Sequence, residues 1–281
     1  MELARQRNGS IINADAMQIY AGLPLLTAQP EAADRSQIPH FLYEVTDAAE
    51  ASSVGKWLTQ AHAAIADVRA SGRTPILVGG TGMYFAALVD GLSDIPDIPT
   101  AVRDETESFY REWGEEKFRE ELARSDPDSA SRIERNDRQR LIRAFEVVAH
   151  TGKTLSSWHK KSSRTETDEF SAESLAQSGN ANNVYERHLL MPSREELYAA
   201  CDRRFLSMIE REALTEVKQL ISRNLSPELP AMKILGVREL AAFLRNERTL
   251  GEAVSKAQQM TRNYAKRQMT WFRNQWKTAI S

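Results

Sequence analysis

Cysteine is almost absent from this sequence. Cys201 is the single one, which excludes an internal disulfide and, by itself, a thiolate metal cluster. Such a residue is expected to serve as a small buried apolar side chain. No apolar run approaches the ~18 residues of a membrane span, and no charged-apolar-small signal segment leads the chain. A strong charge of either sign is also missing. The formal balance of -2 gives no global positive field, so any contact with nucleic acid must come from local clusters. What is present suits a cytoplasmic globular protein: 281 residues at 41% hydrophobic and 27% charged can bury one large domain or two unequal ones.

A phosphate loop is lacking too. The only GK[ST] is Gly152-Lys153-Thr154, but a P-loop needs glycine five residues before Gly152, and Val147 stands there. It also follows a helical pattern, whereas a P-loop follows a strand.

Apolar runs of strand length alternate with helical periods, which argues for a parallel α/β sheet. Strands are expected at Ser10–Ala14, Phe41–Val45, Pro75–Val78 and Glu186–Met191. A crossover helix is expected in GKWLTQAHAAIADVRASG, where Trp57, Leu58, Ala61, Ile65 and Val68 fall near helical spacing and Gly72 ends the period. From about Asp97 to Asn183 no strand pattern is found, only charged amphipathic helices. The domains therefore read as an α/β core at 1–96 and 184–281, with an all-helical insertion at 97–183. The insertion ends in SSRTETDEFSAESLAQSGNANN, read as a mobile loop. One long helix from about Leu250 closes the chain, opened by a Thr249–Glu252 capping box.

Three places can carry chemistry. In RTPILVGGTGMYFAALVDGL a strand runs through Gly79-Gly80-Thr81-Gly82 straight into a helix, where free N–H groups favour an anion or a polar base edge. A tight turn without a ligand is the plainer reading, and the GxGxxG spacing is not met because Phe85 holds the last glycine position. Asp15 lies at the carboxyl end of the first strand, the edge where open α/β sheets bind ligands, and can act as a general base, hold a metal or cap a turn. On the inserted helix NDRQRLIRAFEVVAH, helical geometry puts Gln139, Arg143, Glu146 and His150 on one face, with Leu141, Ile142, Phe145 and Val148 on the other. That polar face is either solvated or turned toward nucleic acid, with an amide for a base edge and a guanidinium for phosphate. The last helix adds Lys256, Arg262, Lys266, Arg267, Arg273 and Lys277 against the lone acid Glu252. A phosphate backbone would account for that stripe, while Tyr264, Trp271, Phe272 and Trp276 mostly pack the helix.

Taken together, NADAMQIYAGLPLLTAQP, IPHFL, GRTPILVGGTGMYFAALVDGLS, NDRQRLIRAFEV…TGK, DRRF, ELPAMKILGVREL and TRNYAKRQMTWFR resemble the bacterial tRNA dimethylallyltransferase family, in order and across nearly the whole chain. The resemblance implies a P-loop NTPase-like parallel sheet core with a helical insertion that clasps an anticodon stem-loop. It implies transfer of a dimethylallyl group from dimethylallyl diphosphate to N6 of adenosine 37, by a monomer, with Mg²⁺ as cofactor. Asp15 would be the base and Thr81 would position the amine. Arg204 of DRRF would bind the diphosphate. The tRNA would meet Asp15, Ala16, Met17, Gln18, Thr81, Arg103, Gln139, Arg140, Leu141, Ile142, Arg143, Lys233, Ile234, Leu235, Gly236, Val237 and Arg238. Family members often carry Ser at position 16 and Tyr at 237.

The family begins with a strand, a GPTxSGKS/T-type P-loop and a helix whose tail matches ELARQ. Those elements, on the order of 20 to 25 residues, are not in this chain. Met1 is thus expected to be internal to a longer natural protein, and the chain as it stands to be short of its diphosphate cradle and an Mg²⁺ ligand. Other functions share parts of the pattern. A small-molecule P-loop kinase would not need the insert or the basic last helix, an adenylate isopentenyltransferase would use a free nucleotide, and a non-catalytic tRNA-binding relative would bind without turnover.

Overall fold

The computed structural model describes residues 1–158 and 185–275. The chain divides into two compact units: Met1–Asp90 together with Tyr185–Ser281, and Gly91–Val184. The stretch at 162–183 read as a mobile loop, and Trp276 and Lys277, lie outside the described residues.

The first unit is built on a parallel sheet of order β2-β1-β3. β1 (Gly9–Asn13) is wholly buried between β2 (His40–Phe41) and β3 (Thr74–Val78). Its register pairs Ile12 with both Phe41 and Leu77 and brings Asn13 level with Val78, so β1 and β3 end together. A short helix α1 (Glu2–Gln6) precedes β1, and α2 (Ala32–Gln37) precedes β2. α3 (Val54–Ala70) is the expected crossover. Ser53 caps it by accepting from Lys56 N–H, and Trp57, Ala61, Ile65 and Val68 are buried at helical spacing. α4 (Gly82–Asp90) leaves the glycine turn directly after β3.

Two strand expectations are corrected. The run Phe41–Val45 stops pairing after Phe41 because Leu42 (φ 62°) and Glu44 (φ 56°) enter the left-handed region, which no ladder tolerates. Glu186–Met191 is not a strand. No described strand pairs with it, and Leu190 stands 89% exposed, so strand propensity finds no ladder to join.

The regular elements among the second unit's described residues are all helices. α5 (Thr100–Ser125) is kinked at Gly114 (φ 74°), α6 (Pro127–Arg132) follows, and α7 (Arg138–Thr151) ends on Gly152 at φ 67°. Gly152, with its N–H on Val148 C=O at 2.9 Å, is thus a helix-ending glycine and not part of a phosphate loop. Phe118, Leu122, Leu141 and Ala144 form the core, joined by an aromatic cluster of Phe109, Tyr110, Trp113 and Phe145. Asp126 is fully buried and accepts from Ser129 N–H and Oγ and from Ser156 N–H and Oγ, at 2.6 to 3.3 Å.

Back in the first unit come α8 (Arg194–Glu210), α9 (Ala213–Ser222), a 3-10 turn (Pro230–Lys233), α10 (Val237–Leu244) and α11 (Leu250–Gln275). The expected capping box opens α11: Glu252 N–H donates to Thr249 Oγ1 at 3.3 Å, and Thr249 N–H donates to the Glu252 carboxylate at 2.8 Å. Arg262 bonds both oxygens of Asp202 on α8 at 2.6 and 2.7 Å, and so leaves the basic stripe as an internal tie. Cys201 is buried among these helices, and burial pushes its thiol above the ordinary range.

Candidate active site

The carboxyl ends of β1 and β3 converge, and what brings them together is main chain on main chain. A Cβ on Gly79 would overlap the Ala14 carbonyl, and one on Gly82 would overlap the Trp271 ring, so neither position admits a larger residue without movement. Thr81 N–H donates to Ala14 C=O at 3.2 Å. The Thr81 hydroxyl accepts from Ala16 N–H at 2.9 Å. The turn is thereby bonded to the segment that follows β1 through the N–H and the hydroxyl of Thr81.

Asn13, which is fully buried, shapes that segment. Its Oδ1 accepts from Asp15 N–H at 2.9 Å, while Nδ2 donates to Asp15 C=O at 3.1 Å and to the left-handed Leu42 C=O at 3.0 Å. Trp57 Nε1 donates to Asn13 C=O at 2.9 Å, and Tyr84 stacks on the Trp57 indole at 4.1 Å. Both ends of the Asn13 side-chain amide are paired, as a buried amide requires.

Asp15 thus projects from a rigid frame. Burial pushes its carboxyl above the ordinary carboxylate range, against hydrogen bonds from Met17, Gln18 and Gly80 N–H and the charge of Arg204. The Met17 N–H bond is 2.8 Å. Three phenols feel the same carboxylate. Tyr43 is pushed up to about 12 by burial and then by Asp15, against Arg35; Tyr84 and Tyr264 are raised by burial first, with Asp15 adding to it. The result is a half-buried carboxylate beside a fixed hydroxyl, with an exposed guanidinium close enough to act on it.

Other residues singled out in the sequence sort by burial. Gln18 gives both amide hydrogens to carbonyls, of Thr27 and Ala28 at 2.9 Å each, which leaves its Oε1 as the end an incoming donor would meet. Ala16 and Met17 are half-buried beside it. Lys233 and Arg238 are exposed and Leu235 is half-buried, with Lys233 paired to Glu228 at 2.8 Å. Ile234 and Val237 are core residues, and Gly236 (φ 91°) packs on Phe205 and Leu26. In the helical unit Arg103, Gln139 and Arg140 are exposed and Arg143 is half-buried, 3.4 Å from Glu146. Leu141 and Ile142 are buried in that unit's core, so any contact from them is confined to main chain. Glu146, read from helical spacing as part of the polar face, is also buried.

Sequence reasoning missed Asn13, Tyr43 and Gln268, and read Tyr264 mainly as packing. Gln268 Nε2 donates to Gly80 C=O at 2.8 Å, and the Thr81 and Gln268 side chains act against the burial that raises the Tyr264 phenol. Their signal was the polar content of TRNYAKRQ on the helix face that carries Trp271 to Gly82. Among the described residues no group of three or more His, Cys, Asp or Glu side chains could hold a metal ion. No described helix is long and apolar enough to cross a membrane.

A model of the IPP transferase family matches residues 18–275. The chain is 48% identical over 275 residues to the tRNA dimethylallyltransferase of Caulobacter sp. (strain K31), covering 98% of this chain and 84% of that protein. Against the tRNA dimethylallyltransferase of Phenylobacterium zucineum (strain HLK1) it is 46% identical with the same coverage. Among solved structures, the tRNA delta(2)-isopentenylpyrophosphate transferase of Staphylococcus epidermidis superposes with a TM-score of 0.61 at 29% identity, over 97% of this chain and 84% of that one. A eukaryotic dimethylallyltransferase acting on tRNA gives a TM-score of 0.74 at 28% identity, over 96% of this chain and 65% of that one. The parallel sheet with its helical insertion is therefore the fold of the tRNA prenyltransferases, and the chain belongs to the IPP transferase family.

Proposed function

We propose that this chain transfers a dimethylallyl group from dimethylallyl diphosphate to N6 of adenosine 37 beside the tRNA anticodon. The observation that carries the reading is the Asp15 carboxylate, held by main-chain N–H groups beside the Thr81 hydroxyl and within the field of Arg204. An exocyclic amine is not basic, so its proton must leave as its nitrogen bonds to carbon. N6 attacks the allylic carbon, the carbon–oxygen bond breaks, diphosphate departs with the electron pair, and Asp15 accepts the N6 proton. Burial makes Asp15 a stronger base than an exposed aspartate, which suits that task.

Thr81 positions the amine, and Gln18 presents an acceptor to an amino group, which adenine has at N6 and guanine replaces with a carbonyl at O6. Arg204 supplies positive charge to the leaving diphosphate. Mg²⁺ enters the proposal with the diphosphate, whose charge it would offset. The target base must leave its stack to reach a half-buried carboxylate. Arg103, Gln139, Arg140 and Arg143 of the helical unit, with Lys233 and Arg238, meet the anticodon stem-loop through phosphate and base edges. We place the protein in the cytoplasm as a monomer.

The test is label transfer from dimethylallyl diphosphate to unmodified tRNA, with the chain as it stands and with a family-type strand and P-loop added before Met1. Labelled N6 of adenosine 37 in either form is the expected result. No label in both forms removes the reading in favour of a non-catalytic tRNA binder.

A further inference from the structure

The last helix reaches the turn from about 190 residues away along the chain, and it does so with polar atoms. Gln268 Nε2 donates to Gly80 C=O at 2.8 Å. On the other side of the same Gly80–Thr81 peptide, Thr81 N–H donates to Ala14 C=O at 3.2 Å. The plane of that peptide is therefore pinned from both ends, by α11 and by the end of β1. The Gly80 main chain also favours the ionised Asp15 carboxylate, against the burial that raises it. A Cβ on Gly80 would overlap the Gln268 amide, so the amide fills the space that any larger residue would need. Tyr264, one turn earlier on α11, has its phenol raised by burial and then by Asp15, with Thr81 and Gln268 acting against the rise.

We infer that Gln268 is a positioning residue: by clamping the Gly80–Thr81 peptide it fixes the Thr81 hydroxyl, which accepts from Ala16 N–H next to Asp15. This rests on the reading of Asp15 and Thr81 as the acceptor-side pair of the transfer reaction. It assigns the polar edge of α11 a part in the chemistry, distinct from the exposed cations Lys256, Lys266 and Arg273 on the same helix. A carbonyl accepting from a neutral amide costs little to build, yet its loss frees a glycine peptide to rotate, and displacements of that size matter to a reaction that depends on alignment.

Gln268→Met keeps the length of the side chain and removes its donor. In the full chain, amide hydrogen exchange at Gly80 and Thr81 should accelerate on the order of tenfold, with exchange in α3 and along the rest of α11 unchanged. The single-turnover transfer rate should fall on the order of 10- to 100-fold, with KM for tRNA and for dimethylallyl diphosphate within about twofold. Gln268→Glu should be as slow near neutral pH, because a carboxylate cannot donate to Gly80, and should regain rate relative to the wild type as acid protonates it. Unchanged exchange at Gly80 and Thr81 would overturn the clamp whatever the activity. Faster exchange along all of α11 would overturn it too, by making Gln268 a helix-docking residue, as would faster exchange at the turn with undiminished transfer. If the wild-type protein transfers nothing, the functional reading fails by itself, while the exchange data still decide whether the clamp exists.

Discussion

Each unit withdraws one aspartate from solvent, Asp126 fully and Asp15 in part, and the two are used in opposite ways. Asp126 in the helical unit is pushed up by burial, but hydrogen bonds from Ser129 and Ser156 outweigh this and hold its carboxyl below the ordinary range. Asp15 is only half-buried and also accepts from main chain, yet for it burial prevails and its carboxyl is raised. A carboxylate whose lone pairs are all satisfied is a structural tie. One left short of partners is a base waiting for a proton, and the protein carries the cost of keeping it so. The contrast separates a unit organised for holding its shape from a unit organised for chemistry.

The sharpest way to break the comparison is to remove the tie. Asp126→Ala strands two serine hydroxyls and two N–H groups in the interior and should cost the helical unit about 2–4 kcal/mol in urea unfolding. Asp126→Asn, which keeps acceptor capacity, should cost less. The same tie sets a pH dependence. Its folded-state carboxyl is depressed, so its stabilisation is present above the unfolded value of about 3.9 and is lost as pH falls through the lower folded value. Asp15 runs the other way: the folded state holds its proton into a higher pH range, so ionised Asp15 lowers stability near neutrality. Asp15→Asn should therefore melt no lower than the wild type at pH 7.

A smaller effect is expected at the helical surface. Replacing Arg140 and Arg143 with Ala should weaken tRNA binding on the order of tenfold and flatten its salt dependence by about one phosphate contact per arginine. The single-turnover rate at saturating tRNA should be unchanged. A fall in that rate instead would merge the roles that the comparison keeps apart. The smallest effect concerns pH. The acid limb of kcat/KM should lie above the ordinary aspartate value of about 3.9 and move higher still in Arg204→Ala, because that cation lowers the Asp15 carboxyl.

Local signals made much of this legible in the sequence. β1 was expected at Ser10–Ala14 and runs Gly9–Asn13, the capping box at Thr249 opens α11 where expected, and the strand-to-helix glycine turn begins α4 at Gly82. Such features depend on neighbours within a few residues. What stayed hidden depends on partners far along the chain. The apolar run at Glu186–Met191 has strand composition, but composition cannot supply a ladder. The break after Phe41 lies in the left-handed Leu42, whose carbonyl receives the buried Asn13 amide. Asp15 and Thr81 could be placed at the same sheet edge from the strand pattern alone, whereas Gln268 meets Gly80 only because α11 folds back over the turn. Leu141 and Ile142 show the converse. A motif places them at a tRNA contact, and helix packing turns both side chains inward.

The most direct test of the central claim is single-turnover transfer of labelled dimethylallyl to unmodified tRNA by Asp15→Asn beside the wild type, with tRNA affinity measured on the same samples. A loss on the order of 10²- to 10⁴-fold in rate with affinity within a few fold is predicted. Transfer by Asp15→Asn at the wild-type rate would contradict the assignment of Asp15 as the base.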